Sequence, residues 1–511
     1  MSVTEELVPD DVIPHRHLPP LRYRELPEPL PWRRMVGPSI ILAGLALGSG
    51  EYILWPNIVY HSGFVFFWAC LLGVITQFFV NMEIERWTLV TGESAITGFS
   101  RLSRQWAWIF LILNIVPWAF PGWSTAASEL LLGLLLGPDG GTEPLIAGTS
   151  LSPAGLLSIG SLVACGAILT AGPIVYNTVE RLQMWLVGLI LILTTIIGCA
   201  VIRPDAWVAL GRGVASVGSF PDLQATGLTS MQLLGALAFA GAGGTLNLGQ
   251  SGYIKDKGYG MGQYLGRIVS PLTGQEEAAA ETGFHFHHTP ENMQRWRGWW
   301  RAANIEHGIS FLGTCVVCLS LLALIAYSLL YDEQGVLRSD ATGLGSGMKF
   351  VWGQAELLGQ RPLGVFLRYA YLIAGVAILL TTELGVLDGT ARISADIVKV
   401  NYLLNHPGWT VSRLYSLFLW GEILLGSLIL LFVTREPLLQ VQLAAAMNGA
   451  VMFLYSLLLL YLNTKILSRS LSIGPVRFLV LVWSCAFFGY FTLQAAPPFL
   501  KTVWGLVTGG V

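Results

Sequence analysis

Eleven apolar runs divide the chain, near 35–60, 63–83, 106–134, 153–173, 182–202, 231–254, 303–331, 363–391, 412–433, 438–463 and 476–499. Each reaches the roughly 20 residues that an α-helix needs to cross the hydrocarbon core. The pattern therefore predicts an all-α integral membrane protein of about eleven transmembrane helices. Two of the runs are interrupted. The first carries Gly48-Ser49-Gly50-Glu51 in its middle, and the sixth carries Gly241-Ala242-Gly243-Gly244-Thr245. Glycine runs disfavour helix, and a bare carboxylate at mid-bilayer is costly. Non-helical backbone at that depth survives only where it lines a cavity or is buried in protein. Interrupted spans at corresponding places in two halves point to the substrate site of a secondary transporter.

The spacing groups the spans into two sets of five, 35–202 and 231–463, with 476–499 as a peripheral extra helix. Five crossings start the second set on the opposite side of the membrane, so the repeats are expected to be inverted. Residues 1–34 are charged and Pro-rich without an apolar core. They read as a disordered cytoplasmic tail, not a cleavable signal, ahead of one transporter domain over 35–511. With the N-terminus in the cytoplasm, 21 of the 29 Lys and Arg fall on the inner side and 8 outside. That bias is the positive-inside pattern; it places the C-terminus outside and fits a cell (inner) membrane. A short helix is expected near 349–358, in the long external connection 332–361.

Composition agrees. Hydrophobic residues make up 53% and charged residues 12%, against about 25% charged in soluble domains. Cys70, Cys165, Cys199, Cys315, Cys318 and Cys485 all fall within spans, so no disulfide framework is implied. The Cys315-x-x-Cys318 spacing reads as packing. Trp296, Trp299 and Trp300 beside Arg295, Arg297 and Arg301 form an interfacial anchor, not a nucleic-acid surface. No nucleophile–base pair or closed metal-ligand set shares one depth, so neither an enzyme nor a resident cofactor is expected. The partners are the bilayer and a small ion or solute. A monomer suffices, and the oligomeric state stays open.

Glu51 is the one acid in the two breaks. It reads as a metal ligand, a proton carrier, or a cap on the following half-helix. A carboxylate with freed carbonyls suits hard ions such as Mg2+ or Mn2+. Ser49 and Thr245 supply hydroxyls or cap locally. Asn247, Gln250 and Ser251 share one helical face, which either lines the cavity or hydrogen-bonds a neighbouring helix. Gly48, Gly50, Ala242, Gly243 and Gly244 permit the bends and also leave room for a solute larger than one ion. Thr381, Gly385, Asp388 and Arg392 form a stripe in which Asp388–Arg392 is an i,i+4 pair, a structural ion pair or inner gate. Intramembrane Glu129 is a candidate for proton transfer. His285, His287 and His288 form a loop cluster that either captures metal or is simply solvated.

Several stretches resemble the natural-resistance-associated macrophage protein (Nramp) family of metal-ion transporters. These are Gly37-Pro38-Ser39 through Gly63-Phe64, Gln77, Thr91-Gly92-Glu93, Arg297 to Glu306, Thr381-Thr382-Glu383-Leu384 with Asp388-Gly389-Thr390, and Tyr461-Leu462-Asn463-Thr464-Lys465. The resemblance implies the leucine-transporter-type fold, with helices 1 and 6 unwound around a midplane site. The family's metal motifs do not carry over. Its helix 1 Asp-Pro-Gly-Asn aligns with Gly48-Ser49-Gly50-Glu51, and its helix 6 Met-Pro-His-Asn with Ala242-Gly243-Gly244-Thr245. The family's helix 3 acids align with Pro117 and Phe120. Two functions follow: a secondary-active, proton-linked symporter of a divalent cation working by alternating access, or a carrier on the same fold for a small organic solute, with the metal site lost.

Overall fold

The computed structural model describes residues 6–137, 152–274, 280, 282–432 and 437–508. Its spans are labelled by order. Helix α1 consists of α1a (Pro38–Ala46) and α1b (Trp55–Ser62), joined through a π-helical turn Gly50–Leu54. Next come α2 (Phe67–Thr91), α3a (Gln105–Trp118), α3b (Gly122–Leu136), α4 (Pro153–Ala171) and α5 (Val175–Val201). The second set has α6a (Ser230–Ala238), α6b (Gly244–Lys257), α7 (Pro290–Leu330), α8 (Gly364–Tyr402), α9 (Val411–Phe432) and α10 (Pro437–Ile466). The peripheral α11 is Pro475–Thr508. The expected short helix is Gly347–Gly359.

Among the described residues ten helical runs are long and apolar enough to cross a membrane. The sixth expected span is the one outside that group, because its break leaves two halves of 9 and 14 residues. Burial follows the logic of a lipid solvent. Trp185, Leu189, Ile192 and Ile196 on α5 point outward, whereas Gln77, Asn81, Glu83 and Glu85 on α2 are fully buried. A bilayer removes the drive to bury apolar surface, so the polar groups collect inside.

Two boundaries differ from the expected ones. The second break lies at Phe239–Gly243, two residues earlier than the glycine run suggested, and Gly244 and Thr245 belong to the first turn of α6b. Helix resumes there because the free Gly243 N–H has already found the Gln77 side chain, at 3.2 Å. Helix 3 is also broken, at Ala119–Pro121. Pro117 and Pro121 each lack an N–H for the helical ladder.

The tail departs furthest from expectation. From Glu6 onward it is packed, not disordered, with Val8, Ile13, Leu21 and Leu26 all buried. Strand β1 (Arg22–Tyr23) pairs in parallel with β2 (Phe284–His285) of the α6b–α7 connection. Tyr23 stacks on His287 at 3.8 Å, and Trp299 Nε1 donates to the Pro27 carbonyl at 2.8 Å. Arg101, ion-paired with Glu93 at 2.7 Å, donates to the carbonyls of Pro14 and Pro19 at 3.2 Å. A Pro-rich segment has few backbone donors of its own, so side chains of the body supply them.

Burial of the His285 imidazole beside the Val90 carbonyl pushes its pKa down to about 4. Released, it would titrate near 6.5. The undocked state therefore binds the extra proton, on His285 of the α6b–α7 connection, and docking is strongest above pH 6.5. It weakens by about 1.4 kcal/mol per unit as pH falls from there towards 4. Hydrogen exchange at Arg24, whose N–H donates to the His285 carbonyl at 2.8 Å, should accelerate over that window and be flat above it.

Candidate functional site

The two breaks meet. A side-chain carbon on Gly50 would run into the Phe239 carbonyl, so only glycine lets the two backbones come this close. Gly244 has φ +53, and a side chain there would strike Asn448 on α10. The glycines of the breaks thus serve close approach as well as bending.

Every break needs partners for its loosened backbone. At the first, Gly48 N–H donates to Glu51 Oε2 at 2.9 Å, and Thr382 of α8 donates to the Leu47 carbonyl at 3.1 Å. At the second, the single amide of Gln77 closes both sides: Nε2 donates to the Ala238 carbonyl at 3.1 Å, while Oε1 accepts from Gly243 N–H at 3.2 Å. Trp55 Nε1 donates to the Ala236 carbonyl at 3.0 Å. At the third, Ser124 N–H finds Glu383 Oε2 at 3.0 Å.

Between the first two breaks lies a small void lined by Gly48, Ser49, Gly50, Gly241, Ala242 and Thr382, with Trp118, Trp123 and Phe239 as aromatic walls. Trp118 and Trp123 flank the α3 break, which aims both rings inward. Their centroids are 5.6 Å apart, and each lies within 6 Å of Phe239. Trp123 Nε1 donates to Ser49 Oγ at 3.1 Å, and Trp118 Nε1 donates to Thr245 Oγ1 at 2.8 Å. The void has room for about one water molecule, and its walls are buried. This is a closed conformation.

The residues singled out from sequence divide into groups. Gly48, Ser49, Gly50 and Ala242 line the void; Gly243, Gly244 and Thr245 form the turn beside it. Glu51 does not line it. Its side chain folds back onto Gly48, within electrostatic reach of Cys70, Cys315 and Cys318 on α2 and α7. Asn247 and Gln250 are buried against α2 and α1a, below the void. Glu129 sits part-buried on α3b, outside the lining.

Asp388 and Arg392 form the expected pair at 3.0 Å, but the guanidinium also binds Asp256 of α6b, and Tyr415 of α9 donates to Asp388 at 2.8 Å. The pair thereby ties α6b to α8 and α9. His285 is enclosed in β2 and His287 stacks on Tyr23. Among the described residues no three His, Cys, Asp or Glu side chains converge as metal ligands.

Sequence reasoning missed Trp118, Trp123, Phe239 and Thr382 as lining residues. The Pro117-Trp118-Ala119-Phe120-Pro121 run signals the third break. Nothing local signals that Phe239 turns inward.

The fold is shared with a solved protein. The crystal structure of an Eremococcus coleocola manganese transporter in complex with an aromatic bis-isothiourea substituted compound superposes with a TM-score of 0.64 and 14% identity, over 94% of this chain and 90% of that one. A mutant of the same transporter gives 0.64 and 13%, over 98% and 92%. No family model matches the sequence, and no curated protein matches it. The architecture is thus the all-α membrane fold of that transporter, with helices 1 and 6 broken.

Because Gly50 touches the opposite break, Gly50→Ala should push the two apart. The expected cost is about 1–3 kcal/mol of stability, the usual penalty for overpacking, read as a lower Tm of the purified protein. Gly408→Ala, where nothing lies within 4 Å, is the control and should leave Tm unchanged.

Proposed function

We propose that the protein is a secondary-active carrier that moves a small organic solute across the cell membrane by alternating access, binding it between the breaks of α1 and α6. The observation that carries this reading is the lining: three aromatic rings, glycines and two hydroxyls, with no charged side chain. Divalent hard ions call for six or more oxygen ligands, carboxylates among them. Indole and phenyl faces instead suit an apolar group or an ammonium. The void must widen to admit such a cargo, and half-helices hinged at glycine can supply that movement. The side bearing the tail is assigned to the cytoplasm from the Lys and Arg bias. Closure on that side rests on the Asp256–Arg392–Asp388 network and on the docked tail.

A divalent cation is the second reading. It draws on the fold shared with a manganese transporter and on Glu51 Oε1, which is buried without a partner. In that case the Glu51 side chain would have to rotate towards the void.

The two readings separate in a thermal-shift screen of purified protein against ions and metabolites, since a ligand stabilises by RT ln(1 + [L]/Kd). Organic solutes at millimolar concentration should raise Tm, Trp123→Ala should abolish the rise, and Glu51→Gln should keep it, because a Gln oxygen still accepts from Gly48 N–H. Stabilisation by Mn2+ or Mg2+ alone, lost in Glu51→Gln, would overturn the organic reading in favour of the cation.

A further inference from the structure

Helix α2 carries Gln77, Asn81 and Glu85 at i, i+4 and i+8, so they form one stripe. Asn247 and Gln250 of the adjoining α6b lie along it: Asn247 Nδ2 reaches Gln77 Oε1 at 3.4 Å, and Gln250 stands next to Glu85. All five side chains are 0% exposed. The row begins at the second break, where Gln77 holds the backbone, and ends at a second buried carboxylate, Glu306 of α7. Glu306 accepts from the Ser39 hydroxyl of α1a and from Gly37 N–H, the latter at 3.4 Å. Ser39 Oγ also lies 2.8 Å from His307 Nδ1 and 3.5 Å from Gln250 Nε2. The row therefore touches both broken helices.

Its polar atoms are left over in series, where the other buried orphans, such as those of Glu422 and Asn448, are scattered over other helices. Asn81 Oδ1 and Nδ2, Glu85 Oε1 and Oε2, Asn247 Oδ1, Gln250 Oε1 and His307 Nε2 have no partner, which makes seven in one row. Buried polar atoms are nearly always paired, with water where protein does not serve. A line of confined orphans is a place for water and an exchangeable proton.

The charges agree. Glu83 binds Arg86 at 2.7 Å and Arg477 of α11 at 3.1 Å, and Lys257 binds Glu180 at 2.5 Å. With Glu85 and Glu306 that makes four carboxylates against three cations. The other titratable groups facing the pair are hydrogen-bonded or enclosed. Tyr176 donates to Glu180 at 3.1 Å, Tyr259 donates to the Met35 carbonyl, and His307 lies between Phe78 and Phe311. One buried negative charge lacks a counter-charge, a state that interiors do not tolerate.

We propose that Glu85 and Glu306 share one exchangeable proton, and that the hydrated row Asn81–Gln250–Asn247–Gln77 relays it to the break. Resting on the carrier reading, this assigns the coupling ion. The step is protonation alone: a carboxylate oxygen takes a proton from water and returns it. Ser39 rides on α1a, so outward swing of that half-helix withdraws a donor from Glu306 and opens the pair to the tail side, where the proton leaves.

The proton itself is the probe. Infrared difference spectra of the purified full chain, titrated between about pH 5 and about pH 9 to bracket carboxyl and imidazole groups, should show a protonated-carboxyl band that bleaches as pH rises. Glu85→Gln should remove one component of that band and lower by one the number of protons released per chain in a pH jump, leaving the contributions of the separate buried acids Glu51, Glu383 and Glu422 in place, with Tm unchanged or raised. Asn81→Leu keeps both acids and plugs the row; it should retain the band but slow its response to a pH jump at least tenfold. A wild-type chain without a titrating carboxyl, an unaltered band in Glu85→Gln, or suppression of the band by Na+ at constant pH would each overturn the assignment. The titration needs no solute, so a failed ligand screen would count against the carrier reading and leave the proton site to be judged separately.

Discussion

Unwound backbone inside a membrane must find its hydrogen-bond partners within the protein, since lipid offers none. Most of the polar interior follows from that constraint. Gln77, Thr382, Glu383 and Glu51 occupy places where an apolar side chain would cost nothing in a continuous helix. Each satisfies a group freed by a break, and Gln77 satisfies one on either side of the same break. Removing any of them strands a backbone donor or acceptor at low dielectric, where the loss is largest.

The same constraint explains why the breaks are stacked on one another. Two separate gaps would each need a full set of partners; brought into contact, they share walls. Gly50 against Phe239 is the contact that makes this geometry, and the third break, in α3, adds the two tryptophans that close the side. The void that results is aromatic and uncharged because its polar atoms are already committed to one another: Ser49 to Trp123, Thr245 to Trp118, Thr382 to Leu47. Charged side chains stay out of the lining: Glu51 and Glu383 are turned onto backbone N–H groups at the breaks, and others gather in the Arg392 network and the Glu85–Glu306 row. The void and the Glu85–Glu306 row are thereby separate features of the interior.

The tail belongs to this scheme. It leads directly into α1a, and its docking onto the α6b–α7 connection through β1 and β2 ties together the ends of the two broken helices. Any movement that opens the tail side must either carry that strap along or release it. His285, enclosed beside Tyr23 of the docked strap, makes its hold sensitive to acid.

Span number, membrane class and the existence of two breaks are written into the sequence, because each depends on residues close in the chain: apolar runs set by bilayer thickness, and glycines set by backbone freedom. The Asp388–Arg392 pair was legible for the same reason, since four residues on a helix bring two side chains together. The stripe Gln77, Asn81, Glu85 has an equally local signature, although its meaning emerges only beside α6b. Which way Glu51 points was a tertiary decision. Glu51 sits in the π-helical turn Gly50–Leu54, whose register the apolar pattern does not give, and its side chain folds onto the free Gly48 N–H, away from the void. Tertiary structure also seated the tail, whose Pro-rich sequence cannot pair with itself and takes its partners from the body. Local patterns state what the chain must do to cross a bilayer; only packing among helices decides which side chains face the hollow it leaves.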